Sequence, residues 1–332
     1  MQTLTNHLQR YVINISFGTP PQPFSVMLDT GSAYFWLPHP SSPGCAPDPC
    51  PPGTFDPNTS STSVDICLPY NASFGLTHDN AMLGEYYKDT ISIGGVTLPN
   101  QSLGVTQAPE VVVNGGFWGI MGLGPRRGTS AYHPEHLFEA GYFDSKLFSV
   151  WLNDQSAMAG TILFGGIDET KCEGKLKSVP LDAMNITSVA RVDDETGDVE
   201  HLTNKSWGIR TILDTGSPNM YLPNAIYAAI MAPLNITLHP SPNEPYVRCS
   251  LRSSRSSLAF GFPGKDEIIY PFRLPVSLGE MRDEDGNELC HLGVIPTAGP
   301  IFLMGATILR RAYLVFDAEG FEVRMAQVKK LS

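Results

Sequence analysis

The sequence predicts a mostly β protein built from two similar units in one chain. Short runs rich in Val, Ile, Phe and Tyr alternate with clusters of Gly, Pro, Asn and Ser, and 28 prolines and 31 glycines in 332 residues interrupt most long helices. The tetrapeptide Asp-Thr-Gly-Ser occurs twice, at 29–32 and at 214–217. Its flanks repeat with it. FSVMLDTGSAYFWLP (24–38) and IRTILDTGSPNMYLP (209–223) each run from an apolar stretch through Asp-Thr-Gly-Ser to an aromatic residue, Trp36 or Tyr221, and then Leu-Pro. An internal repeat of this kind implies two similar structural units. Related by a pseudo-twofold axis, such units would bring two identical Asp loops face to face. Two carboxylates held together form an acid–base pair, which points to hydrolysis.

Along the chain, YVINISFG (11–18), DTISIGGVTL (89–98), TILFGGI (161–167) and AYLVFDAEGFEVRMAQ (312–327) read as strands and hairpins. PEHLFEA (134–140) and NAIYAAIMA (224–232) read as short helices. A second repeated element follows each Asp loop. GFWGIMGLG (116–124) and PIFLMGATIL (300–309) each place two apolar residues before a glycine, Gly122 or Gly305. The polar stretch 191–204 reads as a loop. The boundary between units falls near 175–179, giving residues 1–176 and 177–332, each long enough to bury its own core.

The net charge is −11, which argues against nucleic acid and anionic membrane surfaces as partners. Charged residues make up only 17%, and few basic groups means little positive self-repulsion in acid. No apolar run is long enough to span a bilayer. Seven Asn-X-Ser/Thr sequons, at Asn14, Asn58, Asn71, Asn100, Asn185, Asn204 and Asn235, exceed chance and suggest a glycosylated, exported protein. Asn14 sits in an alternating strand pattern, which leaves six candidates. The expected location is extracellular or vacuolar, with signal and pro-segment removed. Six cysteines allow 15 pairings; Cys45 and Cys50 bracket a Pro-rich loop that reads as a small disulfide-closed turn.

Other chemistries find little support. NGGFWGIMGLG lacks the spacing and the Lys of a phosphate loop, the eight histidines form no HExxH zinc pattern, and no G-x-S-x-G elbow is present. No metal or cofactor is expected. SLRSSRSS (250–257) reads as a solvated basic loop.

These landmarks resemble the pepsin-type aspartic endopeptidases over nearly the whole chain. In the family's order come YVINISFGTPPQPFSVMLDTGS, Trp36, FDPNTSST (55–62), KDTISIGG (88–95), the first apolar-apolar-Gly element, LFSVWL (147–152), ILFGGID (162–168), the second DTGS, the second apolar-apolar-Gly element and AYLVFD (312–317). The resemblance implies two β lobes with a cleft between them, covered by a flap hairpin from the first lobe. It implies Asp29 and Asp214 as the catalytic pair. Ser32 and Ser217 would hydrogen-bond the outer carboxylate oxygens, Thr30 and Thr215 would tie the loops together, and Gly31 and Gly216 complete each loop. It also implies the disulfides Cys45–Cys50 and Cys249–Cys290, leaving Cys67 and Cys172 unmatched.

The sequence departs from the family at the flap. Phe74 stands where a tyrosine is usual, followed by Gly75; the missing hydroxyl would meet the indole of Trp36. The flap is three residues longer than usual and carries His78 and Asp79. Trp118-Gly119 replaces an Asp-Gly pair before the first apolar-apolar-Gly element. Met27, Phe74, Phe117 and Ile120 would line an apolar pocket for bulky side chains, and His78 faces solvent or substrate. The resulting expectation is a monomeric endopeptidase acting on extended polypeptide at acid pH. Its rivals are a pepsin-fold binding or inhibitor protein with little turnover, and a cleft repurposed for non-peptide acid–base chemistry.

Overall fold

The computed structural model describes residues 1–7, 10–45, 50, 53–73, 81–107, 119–124, 133–153, 159–232, 246–253, 256–263, 272–273, 281–298 and 302–329. Phe74, Gly75, His78, Asp79, Phe117, Trp118 and Asn235 lie outside the described residues. The chain divides into two compact units, Met1–Lys146 with Ala159–Gly165, and Leu147–Met158 with Gly166–Ser332.

In the first unit the strands run in the order Ala159–Phe164, Gln2–His7, Arg10–Phe17, Gln22–Asp29, Ile120–Gly122, Phe35–Pro38, Val96–Thr106, Ala81–Ile93 and Val64–Ser73. A further pairing of Ile15 with Ile93 joins Arg10–Phe17 back to Ala81–Ile93, so six of these strands close into a barrel. The alternation in RYVINISF explains the inside of that barrel. Tyr11, Ile13, Ile15 and Phe17 point inward and are buried, while Asn14 between them is exposed. Phe17, Phe24, Phe35 and Phe55 pack edge to face beneath. Ile93 pairs directly with Val96, so Gly94-Gly95 is a two-residue hairpin turn with both φ angles positive, 59° and 83°, as that turn demands.

The Ser-Ser-Thr segment is pinned to this barrel by one buried carboxylate. Asp89 accepts from Ser60 Oγ at 2.6 Å, Thr62 Oγ1 at 2.5 Å and its neighbour Thr90 N at 2.7 Å. A carboxylate taken out of water needs such donors.

In the second unit one sheet orders Cys172–Pro180, Glu322–Val328, Ala312–Asp317 and Leu147–Leu152. The predicted hairpin at 312–327 closes through Asp317 Oδ1, which accepts from Glu319 N at 3.0 Å and Gly320 N at 2.8 Å. A five-stranded sheet orders Asn185–Ile186, Ile209–Leu213, Phe302–Met304, Met220–Pro223 and Val294–Thr297. Two smaller sheets complete the unit. The helices expected at 134–140 and 224–232 form as His133–Glu139, in the first unit, and Asn224–Met231, in the second.

One expectation fails. The stretch 191–204 is not a loop but contains a hairpin, Ser188–Asp193 with Val199–His201. Its turn is organised by Asp193, whose Oδ1 accepts from Glu195 N at 2.8 Å and Thr196 N at 3.0 Å. Val199, Glu200 and His201 are all exposed, so the second strand lacks the apolar alternation that marks a strand in sequence.

Cys45 is linked to Cys50 and Cys249 to Cys290, the pairings implied by the resemblance. Cys67 and Cys172 are free thiols, the first exposed and the second buried. No helix among the described residues is long and apolar enough to cross a membrane.

Candidate active site

Both Asp loops are built the same way, each within its own unit. In the first, Gln22–Asp29 runs parallel to Ile120–Gly122, pairing Met27 with Ile120, Leu28 with Met121 and Asp29 with Gly122. The chain then turns through 30–34 and returns as Phe35–Pro38, antiparallel to the same short strand, with Trp36 opposite Ile120. In the second, Ile212 pairs with Leu303 and Leu213 with Met304 in parallel, and Tyr221 pairs with Leu303 in antiparallel. Trp36 and Tyr221, matched by sequence, thus occupy matched register positions. The apolar-apolar-Gly elements are the central strands on which the Asp loops hang.

Main-chain hydrogen bonds fix each loop. Leu123 N donates to Asp29 O at 2.7 Å, Gly124 N to Ser32 O at 2.8 Å and Gly122 N to Tyr34 O at 2.8 Å. Asp214 N donates to Met304 O at 3.0 Å, Ala306 N to Ser217 O at 2.8 Å and Thr307 N to Pro218 O at 3.1 Å. This close approach explains the two glycines. A Cβ on Gly122 would stand 2.6 Å from both N and O of Tyr34. A Cβ on Gly305 would stand 2.2 Å from Asn219 O and 2.5 Å from Ser217 O. Neither glycine has a positive φ; the requirement is space alone.

The carboxylates are oriented locally. Asp29 is 5% exposed, and its Oδ1 accepts from Gly31 N at 2.8 Å while its Oδ2 accepts from Ser32 Oγ at 2.5 Å. Asp214 Oδ1 accepts from Gly216 N at 2.8 Å, the matching bond. Ser217 differs from Ser32. Its hydroxyl donates to Asn219 O at 3.3 Å. The main-chain wiring differs as well. Gly124 takes Ser32 O in the first unit, but in the second Ala306 takes Ser217 O and Thr307 takes Pro218 O, a shift of one residue. Thr307 reinforces it, its Oγ1 donating to Pro218 O at 2.7 Å. Thr307, 1% exposed, was not singled out from sequence; it occupies the position matched to Gly124. Thr30 and Thr215 are both buried.

Met27, Trp36 and Ile120 stand in one buried cluster with Cys45, Cys50, Tyr70, Ala72 and Met82, with Tyr34 and Tyr86 packed against it. They form a wall behind the Asp29 loop rather than an exposed surface. Tyr70 is held tightly there. A Cβ on Gly104 would meet its ring at 2.3 Å, and Tyr86 and Tyr34 meet it edge to face at 5.0 and 6.2 Å. Burial, with Tyr86 and Tyr34 alongside, pushes its phenol well above the usual range. The hairpin Val64–Ser73 with Ala81–Ile93 lies over this cluster and ends, among the described residues, at the pair Ser73–Ala81.

A closed β barrel and a five-stranded sheet that each carry an Asp-Thr-Gly-Ser loop on a parallel glycine-ended strand define the architecture of aspartic peptidases. Comparison with known proteins agrees. Residues 10–328 match the family model described as eukaryotic aspartyl protease, and the chain belongs to that family. It is 31% identical to a probable aspartic-type endopeptidase OPSB of Arthroderma benhamiae, across 99% of this chain and 70% of that protein. It is 27% identical to aspartic proteinase yapsin-3 of Saccharomyces cerevisiae, across 98% of this chain and 67% of that protein. It is 29% identical to pepsin A of Canis lupus familiaris, across 98% and 83%.

Proposed function

We propose that this chain is an aspartic endopeptidase in which Asp29 and Asp214 together activate one water. The observation that carries the proposal is the matched construction of the two Asp loops, down to the amide two residues on that holds each carboxyl. Two carboxylates acting on one water share a single proton through the acid range, as in other aspartic proteases. The ionised member takes a proton from the water, whose oxygen attacks the peptide carbonyl carbon. The protonated member donates to the carbonyl oxygen. The carboxyl that took the water's proton then passes it to the amide nitrogen, a hydroxyl of the gem-diol returns its proton to the other carboxylate, and the C–N bond breaks to release acid and amine, with no covalent enzyme intermediate.

The preferred substrate is an extended polypeptide with bulky apolar side chains beside the scissile bond, binding through its backbone as an added strand. Membership in the aspartyl protease family supports a polypeptide substrate. Sequons and two disulfides support export.

The test is digestion of a denatured protein from pH 3 to 7, with Asp29→Asn, Asp214→Asn and the double variant. Each single variant should lose nearly all activity, keep its fold by circular dichroism, and be little better than the double, because the two act as a unit. Block by a statine-type transition-state mimic should accompany activity. Full activity in either single variant would overturn the pairing. A folded parent without turnover at any acid pH would favour the binding-protein reading.

A further inference from the structure

We propose that Asn71 carries an N-linked glycan, and that this glycan covers Leu83 and the adjoining edge of the hairpin formed by Val64–Ser73 and Ala81–Ile93. Val64–Ser73 is the last strand in the first unit's order, an edge whose backbone has a strand partner on one side only among the described residues. Its alternation is sharp next to the sequon. Tyr70 and Ala72 face inward at 1% and 3% exposure, and Asn71 and Ser73 face out. Acceptor amide and sequon hydroxyl therefore share the solvent side.

The register supplies the second observation. Asn71 stands directly opposite Leu83, one step from the pair of Ala72 with the fully buried Met82. Directly opposed residues lie on one face with Cβ atoms about 5 Å apart. Leu83 is 55% exposed on that face. An exposed leucine beside a regularly paired edge strand invites pairing with another chain. Bulges and charged residues are the usual protections, and the irregular register between Asp65 and Pro69 gives some. The stretch from Pro69 to Ser73 pairs regularly. A glycan rooted at Asn71 sits in the middle of that stretch, and its bulk and hydration would shield Leu83 and block edge addition.

The modification is a transfer from a polyprenyl-pyrophosphate-linked oligosaccharide. The Asn71 amide nitrogen bonds to the anomeric carbon and gives up one proton, the anomeric C–O bond breaks, and the lipid pyrophosphate leaves. The proposal rests on passage through a compartment holding that donor and not on the peptidase reading, so the two fail separately.

Peptide mapping of the protein secreted from a eukaryotic host should find Asn71 glycosylated. Asn71 bare while Asn58 or Asn100 is occupied would overturn the proposal, as would no glycan at any sequon. Asn71→Gln and Ser73→Ala should both remove the glycan and raise the aggregated fraction several-fold by light scattering. Adding Leu83→Lys to Asn71→Gln should restore the monomer. Should Asn71→Gln not be secreted, trimming the folded parent with an N-glycanase should give the same aggregation, and Leu83→Lys should prevent it. Unchanged monomer after glycan loss, or no rescue by Leu83→Lys, would refute the covering role.

Discussion

The glycines that end the two central strands offer the sharpest test of the site's construction. Replacing Gly305 by Ala puts a methyl carbon 2.2 Å from Asn219 O and 2.5 Å from Ser217 O; replacing Gly122 puts one 2.6 Å from two backbone atoms of Tyr34. A comfortable carbon–oxygen contact needs about 3.3 Å or more, so backbone must move by about 1 Å. No side chain can swing away to absorb it. Overpacking of this kind costs about 1–3 kcal/mol. At a few degrees per kcal/mol for units of this size, melting should fall by roughly 2–10 °C. Activity should fall further, because about 1 Å of displacement of a reacting group costs on the order of 100-fold. Gly208 is the control. Its added Cβ would meet only Ile186 O at an ordinary 3.7 Å, and its φ is not positive. Gly208→Ala should be neutral or stabilise by up to about 1 kcal/mol. Peptide-cleavage kinetics and thermal melts on the three variants decide the matter. Parent-like kcat/KM and melting in Gly122→Ala and Gly305→Ala would show that the loops do not sit against these strands as described.

Three further outcomes follow from local geometry. Ser32→Ala removes a 2.5 Å hydrogen bond to Asp29, and bonds to charged groups are worth about 1.5–3 kcal/mol, so kcat/KM should fall about ten- to a hundredfold; Ser217→Ala removes a 3.3 Å bond to a neutral carbonyl and should cost much less. Equal losses in the two serine variants would contradict the asymmetry. The Tyr70 hydroxyl is buried without a hydrogen-bond partner among the described residues, so Tyr70→Phe should raise unfolding free energy by about 1 kcal/mol in a denaturant titration, and a loss of stability would mean the hydroxyl is satisfied. The Thr170 hydroxyl, 2.6 Å from Asp168, holds that carboxyl below the usual range against the opposing effect of burial. Its contribution to stability is therefore present above about pH 4 and lost as pH falls through the lowered value. Asp168→Asn should be less stable than the parent at neutral pH and converge with it in strong acid; a constant gap between the two melting profiles would refute this.

The repeat was legible because it is written in residues with little freedom. Asp-Thr-Gly-Ser and the paired glycines mark places where only those side chains, or none, fit against backbone. The hairpin at 94–95 was legible for the same reason, two glycines between alternating strands. The hairpin between Ser188 and His201 was not, because an exposed second strand carries no apolar period and its turn depends on hydrogen bonds from Asp193. The different partners of Ser32 and Ser217 were hidden too. The tetrapeptides are identical, and the main-chain wiring beside them differs at Thr307, distant in sequence, where the first unit has Gly124. Met27 and Ile120, expected to line an apolar pocket with Phe74 and Phe117, are buried beside the Asp29 loop, and their two partners lie outside the described residues.

The parallel pairing of each Asp strand also sets an order of events in folding. Met27 meets Ile120, and Ile212 meets Leu303. Each contact closes a segment of roughly ninety residues, an entropic cost met before the contact returns anything, and non-local pairings of this sort form slowly. Neither loop gains its main-chain anchor, Leu123 N to Asp29 O or Asp214 N to Met304 O, until the far strand of its own unit has arrived. A nascent or partly folded chain therefore holds its potential chemistry in pieces, and competence to cut polypeptide arrives only with the completed topology. For an aspartyl protease, that delay is a safeguard supplied by connectivity alone.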